Sequence, residues 1–161
     1  HGYDLHRLEP LAPEGRGRPM VLGGVPFETD LGPVGHSDAD VLAHAITDAL
    51  LGAIGEPDIG QLFPDDDPRH ESQDSADFLT EAIWRVRQAG YELANLDATV
   101  VLEAPRLKDR KAEIITRLAE ILGVDTDRIN IKGKSHEGVD AIGRCEALEA
   151  HAVVLIARLN T

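Results

Sequence analysis

The chain has 161 residues, a length that suits one domain and seldom two. Apolar residues make up 42% and charged residues 28%, close to an ordinary globular domain, which excludes intrinsic disorder and fibrous repeats. Sixteen basic against 29 acidic residues leave a net charge of −13, a field that repels nucleic acid and anionic membranes, so neither is expected as a partner.

Residues 3–8 and 21–27 read as short strands on either side of an arm rich in Pro and Gly (Pro10, Pro13, Gly15, Gly17). From 37 to 54 the residues Leu42, Ala45, Ile46, Ala49, Leu50 and Ala53 keep helical spacing, with Ser37 or Asp38 as the expected N-cap and Pro57 closing the segment. A second helix is expected over 75–89, with Phe78, Leu79, Ala82, Ile83 and Val86 on one face and Gly90 ending it. A strand follows in which Ala94, Leu96, Ala98, Val100 and Leu102 alternate with Asn95, Asp97 and Thr99. A third helix spans 108–122 and ends at Gly123, and two strands are expected near 129–134 and 146–159. No repeat or linker interrupts the pattern. The expectation is a single domain over 1–161, of α/β (α+β) class, with a mixed sheet and helices on one face.

The stretches without a charged residue, such as 150–157, are far too short to span a membrane, and no apolar run follows a basic start, so no secretory signal is expected. The sequence begins at His1 without a methionine, and a few upstream residues are expected. Cys145 is the single cysteine, which rules out an internal disulfide and suits a reducing compartment.

The chemistry concentrates in five places. Asp4 and His6 share a strand face, because residues two apart point the same way, although such pairs also occur by chance on surface strands. On the first helix Asp40, His44 and Asp48 form a stripe opposite the apolar residues. That stripe is either a solvated face or a metal-ligating histidine with carboxylates to orient it. His36 and Ser37 stand just before this helix, where free N–H groups attract an anion. Asp58-Ile59-Gly60 and Phe63-Pro64-Asp65-Asp66-Asp67-Pro68 form an acidic loop, either simple turns or a grip on a polar ligand. Ala104-Pro105-Arg106-Leu107-Lys108 is a strand-to-helix corner, and Lys132-Gly133-Lys134-Ser135-His136-Glu137 gathers two lysines, a hydroxyl and a carboxylate at a strand end, a plausible phosphate contact in so acidic a chain. Asp4, His6 and His44 together would supply one oxygen and two nitrogen ligands with a fourth position open, the pattern of a catalytic zinc.

In this order the blocks resemble the 2-C-methyl-D-erythritol 2,4-cyclodiphosphate synthase family. They are Gly2-Tyr3-Asp4-Leu5-His6, His36-Ser37-Asp38-Ala39-Asp40 through His44, Thr47 to Gly52, Asp58-Ile59-Gly60, Phe63-Pro64-Asp65, Ala104-Pro105-Arg106, and Glu137 with Gly143-Arg144. The resemblance implies a metal-dependent cyclase of non-mevalonate isoprenoid biosynthesis. Such an enzyme converts 4-diphosphocytidyl-2-C-methyl-D-erythritol 2-phosphate, a small cytidine diphosphate substrate, into the cyclic diphosphate and releases CMP. It implies zinc on Asp4, His6 and His44, one per subunit, and Mg2+ or Mn2+ brought with substrate to Glu137. His36 and Ser135 would stabilise the transition state. Asp58, Gly60, Phe63, Asp65 and Asp67 would contact the sugar-alcohol part, and Ser37 would also touch substrate. Ala104, Pro105, Arg106, Leu107, Gly133 and Lys134 would hold the cytidine and its phosphates, and Arg144 a diphosphate. It further implies a homotrimer closed around the open sheet face, with sites between subunits, located in a bacterial cytoplasm or, after loss of a transit peptide, in a plastid. The family pattern has successive threonines where this chain has Lys134-Ser135, and a bulky aromatic where Ala141 stands.

Two other classes compete. A zinc phosphodiesterase on a nucleotide-linked substrate would use metal-bound hydroxide as the nucleophile, and a non-enzymatic metal-binding or assembly module would turn nothing over.

Overall fold

The computed structural model describes residues 1–35, 37–64 and 73–159. Its frame is a five-stranded sheet in the order β4 (Leu31–Pro33), β1 (Gly2–Pro10), β7 (Ala147–Arg158), β5 (Tyr91–Val101) and β6 (Ile129–Lys134). β5 and β6 pair in parallel and every other neighbour is antiparallel. The helices α1 (Val41–Ala53), α3 (Ser75–Gln88) and α4 (Lys111–Leu122) cover one face. The mixed sheet with helices on one side is the expected architecture.

The core lies between sheet and helices. Leu96, Ala98, Val100, Ile131, Leu148, Ala150 and Ala152 point inward from the strands and are fully buried. α1 is buried almost all round because β1 and β7 take one side and α3 the other. The opposite sheet face is less protected. Tyr3 is 46%, Leu5 47%, Val153 53% and Leu155 63% exposed, an apolar surface beside the polar Glu149 and His151. β7 alternates faces as expected.

Four local details differ from the sequence expectation. The first helix starts at Val41, because Ala39 adopts φ +58° and turns the chain so that Asp40, not Ser37 or Asp38, becomes the N-cap. The Asp40 side chain accepts from the N–H groups of Leu42 and Ala43 at 3.1 and 3.0 Å. The segment 21–27 is a hairpin and not one strand: β2 (Met20–Leu22) and β3 (Val25–Phe27) are joined by Gly23 and Gly24 at φ +61° and +75°. Two successive positive φ values are what a tight hairpin turn requires, and glycine supplies them without steric cost. β5 carries an irregularity between Leu93 and Asn95, so Leu93 is buried where simple alternation would bury Ala94. The third helix is preceded by a separate 3-10 turn, Leu107–Asp109, and begins at Lys111. The short β4, α2 (Ile59–Leu62) and α5 (Asp140–Gly143) carry no periodicity long enough to be read from sequence.

β1 and α1 touch backbone to backbone. A Cβ built on Gly2 would lie 1.9 Å from the Ala45 carbonyl oxygen, so only glycine allows the approach. This contact sets Asp4 and His6 of the strand against His44 of the helix.

Candidate functional site

Asp4, His6 and His44 converge. Asp4 Oδ2 lies 2.9 Å from His44 Nδ1 and 3.0 Å from His6 Nε2, and the two ring nitrogens are 3.3 Å apart. A small tetrahedral ion with bonds of about 2.0–2.1 Å holds its ligand atoms about 3.3–3.4 Å apart. Small outward shifts would therefore admit one. Outer contacts also fit a metal site. His6 Nδ1 faces the Val34 carbonyl at 3.2 Å. A carbonyl can only accept, so Nδ1 carries a proton and Nε2 is the nitrogen available to ligate an ion. The three form a candidate metal-binding site, the one group of its kind among the described residues.

The electrostatics of the metal-free cluster follow from this packing. Burial alone would raise the Asp4 carboxyl, but hydrogen bonds from His44 and His6 outweigh it and hold the group well below the usual carboxylate range. Burial alone would lower the His44 imidazole, yet the hydrogen bond and charge of Asp4 raise it above the ordinary histidine value. A positive charge is wanted among these atoms, and in the absence of an ion a proton on His44 meets the need.

The expected Asp–His–Asp stripe is corrected. Asp40 is fully buried and faces away from His44: it accepts from Gly23 and Gly24 N–H at 2.9 and 2.7 Å, besides capping α1. Asp48 is half-buried and accepts from Ile59 N–H at 2.8 Å, and burial with the charges of Asp58 and Asp4 raises its carboxyl. Asp48 thus anchors the Asp58-Ile59-Gly60 turn one helical turn beyond His44. Asp58 caps α2 through Gln61 N–H at 2.9 Å. These elements enclose a cavity of about 330 Å³ lined by Asp4, His6, Ser37, His44, Ile59, Gly60, Phe63 and Phe78. Phe63 packs on Phe78 with ring centroids 4.6 Å apart. His36, Asp65 and Asp67 lie outside the described residues.

A second cavity, of about 450 Å³, opens beside β6 and is lined by Glu103, Pro105, Arg106, Leu107, Lys108, Gly133, Lys134 and Ser135. A Cβ on Gly133 would meet Leu107 Cδ1 at 3.3 Å, so the glycine lets the corner close on the strand. The structure separates the two lysines of the sequence cluster: Lys134 lines the cavity, whereas Lys132 pairs with Asp97 at 2.5 Å on the open sheet face. Ala104 is exposed at the corner. Glu137 is exposed in the turn after β6 with φ +52°, and its N–H faces Ser135 Oγ at 3.4 Å. Arg144 makes a two-point pair with Glu146, both contacts at 3.0 Å. Neither Glu137 nor Arg144 lines these cavities. A larger concavity of about 1070 Å³ lies beyond α4, where Arg87 donates to the Leu122 carbonyl; its lining contains no metal-ligand cluster.

The two cavities lie three strands apart on one level. The ladder runs from Asp4 to Ala150, from Ala150 to Val100 and from Val100 to Gly133. Three strand spacings amount to about 14 Å. Reading the sequence missed Ser75 and Val34, which touch the metal-site histidines, because a serine opening a helix reads as a cap and a backbone carbonyl leaves no trace in side-chain type.

Comparisons with known proteins agree with the geometry. A family model described as YgbB family matches residues 1–157. The chain is 48% identical over 158 residues to the chloroplastic 2-C-methyl-D-erythritol 2,4-cyclodiphosphate synthase of Oryza sativa subsp. japonica, covering 98% of this chain and 68% of the relative. It is 46% identical over 157 residues to the synthase of the same name from Rhodopirellula baltica, covering 98% and 91%. Its fold superposes on IspF of Plasmodium falciparum, solved as a CDP complex, with a TM-score of 0.84 and 34% identity, covering 99% of this chain and 94% of that one.

Proposed function

The chain belongs to the YgbB family, and on that premise we propose that it is a metal-dependent cyclase: it forms 2-C-methyl-D-erythritol 2,4-cyclodiphosphate from the cytidylyl 2-phosphate precursor and releases CMP. The observation that carries the reading is the convergence of Asp4, His6 and His44 at 2.9–3.3 Å on the wall of a cavity sized for a small polar ligand. The 2-phosphate oxygen attacks the β-phosphorus, the bond from that phosphorus to the α-phosphate oxygen breaks, and CMP leaves with the electron pair. Attacking and leaving groups belong to one molecule, so positioning and charge stabilisation suffice and no covalent enzyme nucleophile is needed.

Zinc on Asp4, His6 and His44, and magnesium or manganese at Glu137, would supply the Lewis acidity and positive charge that a chain of net charge −13 cannot. The residues supply the rest. Asp48 holds the Ile59 turn, so that Asp58 and Gly60 present oxygen and N–H groups to the hydroxyls of the sugar-alcohol part. Ser37 and Phe63 bound the same cavity. Asp65 and Asp67 would continue that wall, and His36 would donate to the transferring phosphate. Pro105, Arg106, Leu107 and Gly133 line the second cavity, where the base and its phosphates would lie, with Lys134 and Ser135 at the mouth. Arg144, neutralised by Glu146, would meet a diphosphate only by leaving that pair.

The separation of about 14 Å between cavities favours a site shared between two copies, the metal of one chain facing the base cavity of the next. The exposed Tyr3, Leu5, Val153 and Leu155 give such an assembly a surface to bury. We therefore read the active form as a homotrimer and residues 1–161 as one catalytic domain. No helix among the described residues is long and apolar enough to cross a membrane. The compartment is the cytoplasm for a bacterial source and the plastid for a plant one. Incubation with the cytidylyl substrate, zinc and magnesium, followed by phosphorus NMR, tests the activity. CMP with a cyclic diphosphate is expected; CMP with a linear product would make the protein a phosphodiesterase, and no turnover would leave a binding module.

A further inference from the structure

The outer side of His44 carries more than the reading above uses. Its Nε2 lies 2.9 Å from Ser75 Oγ and 3.1 Å from Ser37 Oγ. Ser75 opens α3 and is fully buried, and its hydroxyl is bonded to Asp38 Oδ1. Asp38 cannot turn away, since its other oxygen accepts from Ser75 N–H at 3.0 Å, its Oδ1 also accepts from Asp40 N–H at 3.2 Å, and its own N–H donates to the Gln73 carbonyl at 3.2 Å. The strained φ of Ala39 lets the flanking carboxylates part in this way, Asp40 toward the Gly23–Gly24 turn and Asp38 toward α3.

We propose that Asp38 and Ser75 are positioning residues that fix the protonation geometry of His44 and so create its metal-ligating nitrogen. A carboxylate only accepts, so the Ser75 hydroxyl proton points at Asp38. The lone pairs of Ser75 Oγ are then what His44 meets, and Nε2 must carry the hydrogen. In a neutral imidazole that leaves the lone pair on Nδ1, which faces Asp4 and His6. Ser37 Oγ accepts from Ala39 N–H, is not held by a carboxylate, and adds a second contact without dictating the sense. The pattern is a carboxylate–histidine pair of the kind that orients metal ligands, with a serine inserted between them. Because Ser75 heads α3 and Asp38 precedes α1, the relay also ties the two helices that flank the metal site.

The inference rests on Asp4, His6 and His44 holding zinc, so the test separates the two ideas. Zinc affinity is measured by chelator competition for the wild type and for Ser75→Ala, Ser75→Thr, Asp38→Asn and His44→Ala, with circular dichroism as a control on folding. The position of the His44 proton is read by long-range nitrogen–proton NMR in zinc-loaded protein, where Asp4 no longer competes for it. Ser75→Ala and Asp38→Asn should weaken zinc binding about 10- to 100-fold. Ser75→Thr, which keeps the hydroxyl, should restore it. Wild-type His44 should then carry its proton on Nε2, protected from exchange by Ser75, and Ser75→Ala should speed exchange of that proton with water. Wild-type affinity and an equally protected Nε2 proton in Ser75→Ala, with zinc lost in His44→Ala, would overturn the relay and leave the metal site standing. Zinc retained in His44→Ala would remove both. Should the Ser75 variants fail to fold, a wild-type ring protonated on Nδ1 overturns the proposal without them.

Discussion

At the scale of single residues, Asp4 and His44 make opposite demands on pH. In metal-free protein the raised His44 value gives stability that is complete below the ordinary histidine pKa and is lost as pH rises through the raised one. The lowered Asp4 value gives stability that is complete above the ordinary carboxylate pKa and is lost as pH falls through the lowered one. The pair therefore helps the metal-free fold most in mildly acidic solution. Zinc held there as proposed would have to displace the His44 proton, so its affinity should grow over the interval in which that help fades. The gap in Tm between zinc-loaded and stripped protein should widen between about pH 6 and pH 8, and a constant gap by calorimetry would show that His44 does not exchange a proton for metal. Glu137 makes a separate prediction. Exposed and away from the zinc donors, it should answer to the second ion alone, so Glu137→Gln should raise the magnesium needed for half-maximal turnover several-fold at unchanged zinc content. Wild-type magnesium dependence would make Glu137 a turn residue.

At the scale of elements, two contacts hold the site's frame. Asp40 gathers four backbone N–H groups from the α1 start and the β2–β3 turn. Asp40→Ala would leave buried donors without acceptors and should cost about 2–3 kcal/mol, or about 5–10 °C in Tm, while the zinc ligands stay in place. Gly2→Ala should act the other way round. Its methyl group would push β1 from α1, separating Asp4 and His6 from His44, so zinc affinity should fall together with stability. The pair of variants shows what sequence could and could not tell. Long periodic segments, α3, α4, β6 and β7, are legible because one buried face repeats along them. The Asp-x-His pair is legible from strand geometry. Asp40 is not, since its partners at Gly23 and Gly24 are 17 and 16 residues away, and an aspartate near a helix start looks alike whether it caps, ligates or faces water. Ser75 escaped for the same reason: its partners, Asp38 and His44, come from a distant segment.

At the scale of the whole molecule, the proposed homotrimer is testable by itself, since the metal-site cluster and the second cavity stand three strands apart within one chain. Light scattering should give about three times the 17.4 kDa chain mass. Mixing inactive His44→Ala with inactive Ser135→Ala chains should restore partial turnover, because some interfaces then join an intact metal half to an intact base half. A monomer, or exchanged assemblies that stay fully inactive, would instead place both halves within one chain.

The Gly2 contact reaches further than its own neighbourhood. A strand sliding by two residues keeps its faces and loses little pairing energy, so alternation alone does not forbid a slipped β1. Such a slip would carry Asp4 about 6.7 Å along the sheet and spoil its alignment with Gly133 three strands away. In that slipped ladder Asp4 would stand where Gly2 now meets the Ala45 carbonyl, and no side chain fits there. A residue without a side chain thereby acts as a keyway of the sheet: it bars that slip, and so keeps the Asp4–His6–His44 cluster level with the cavity beside Gly133.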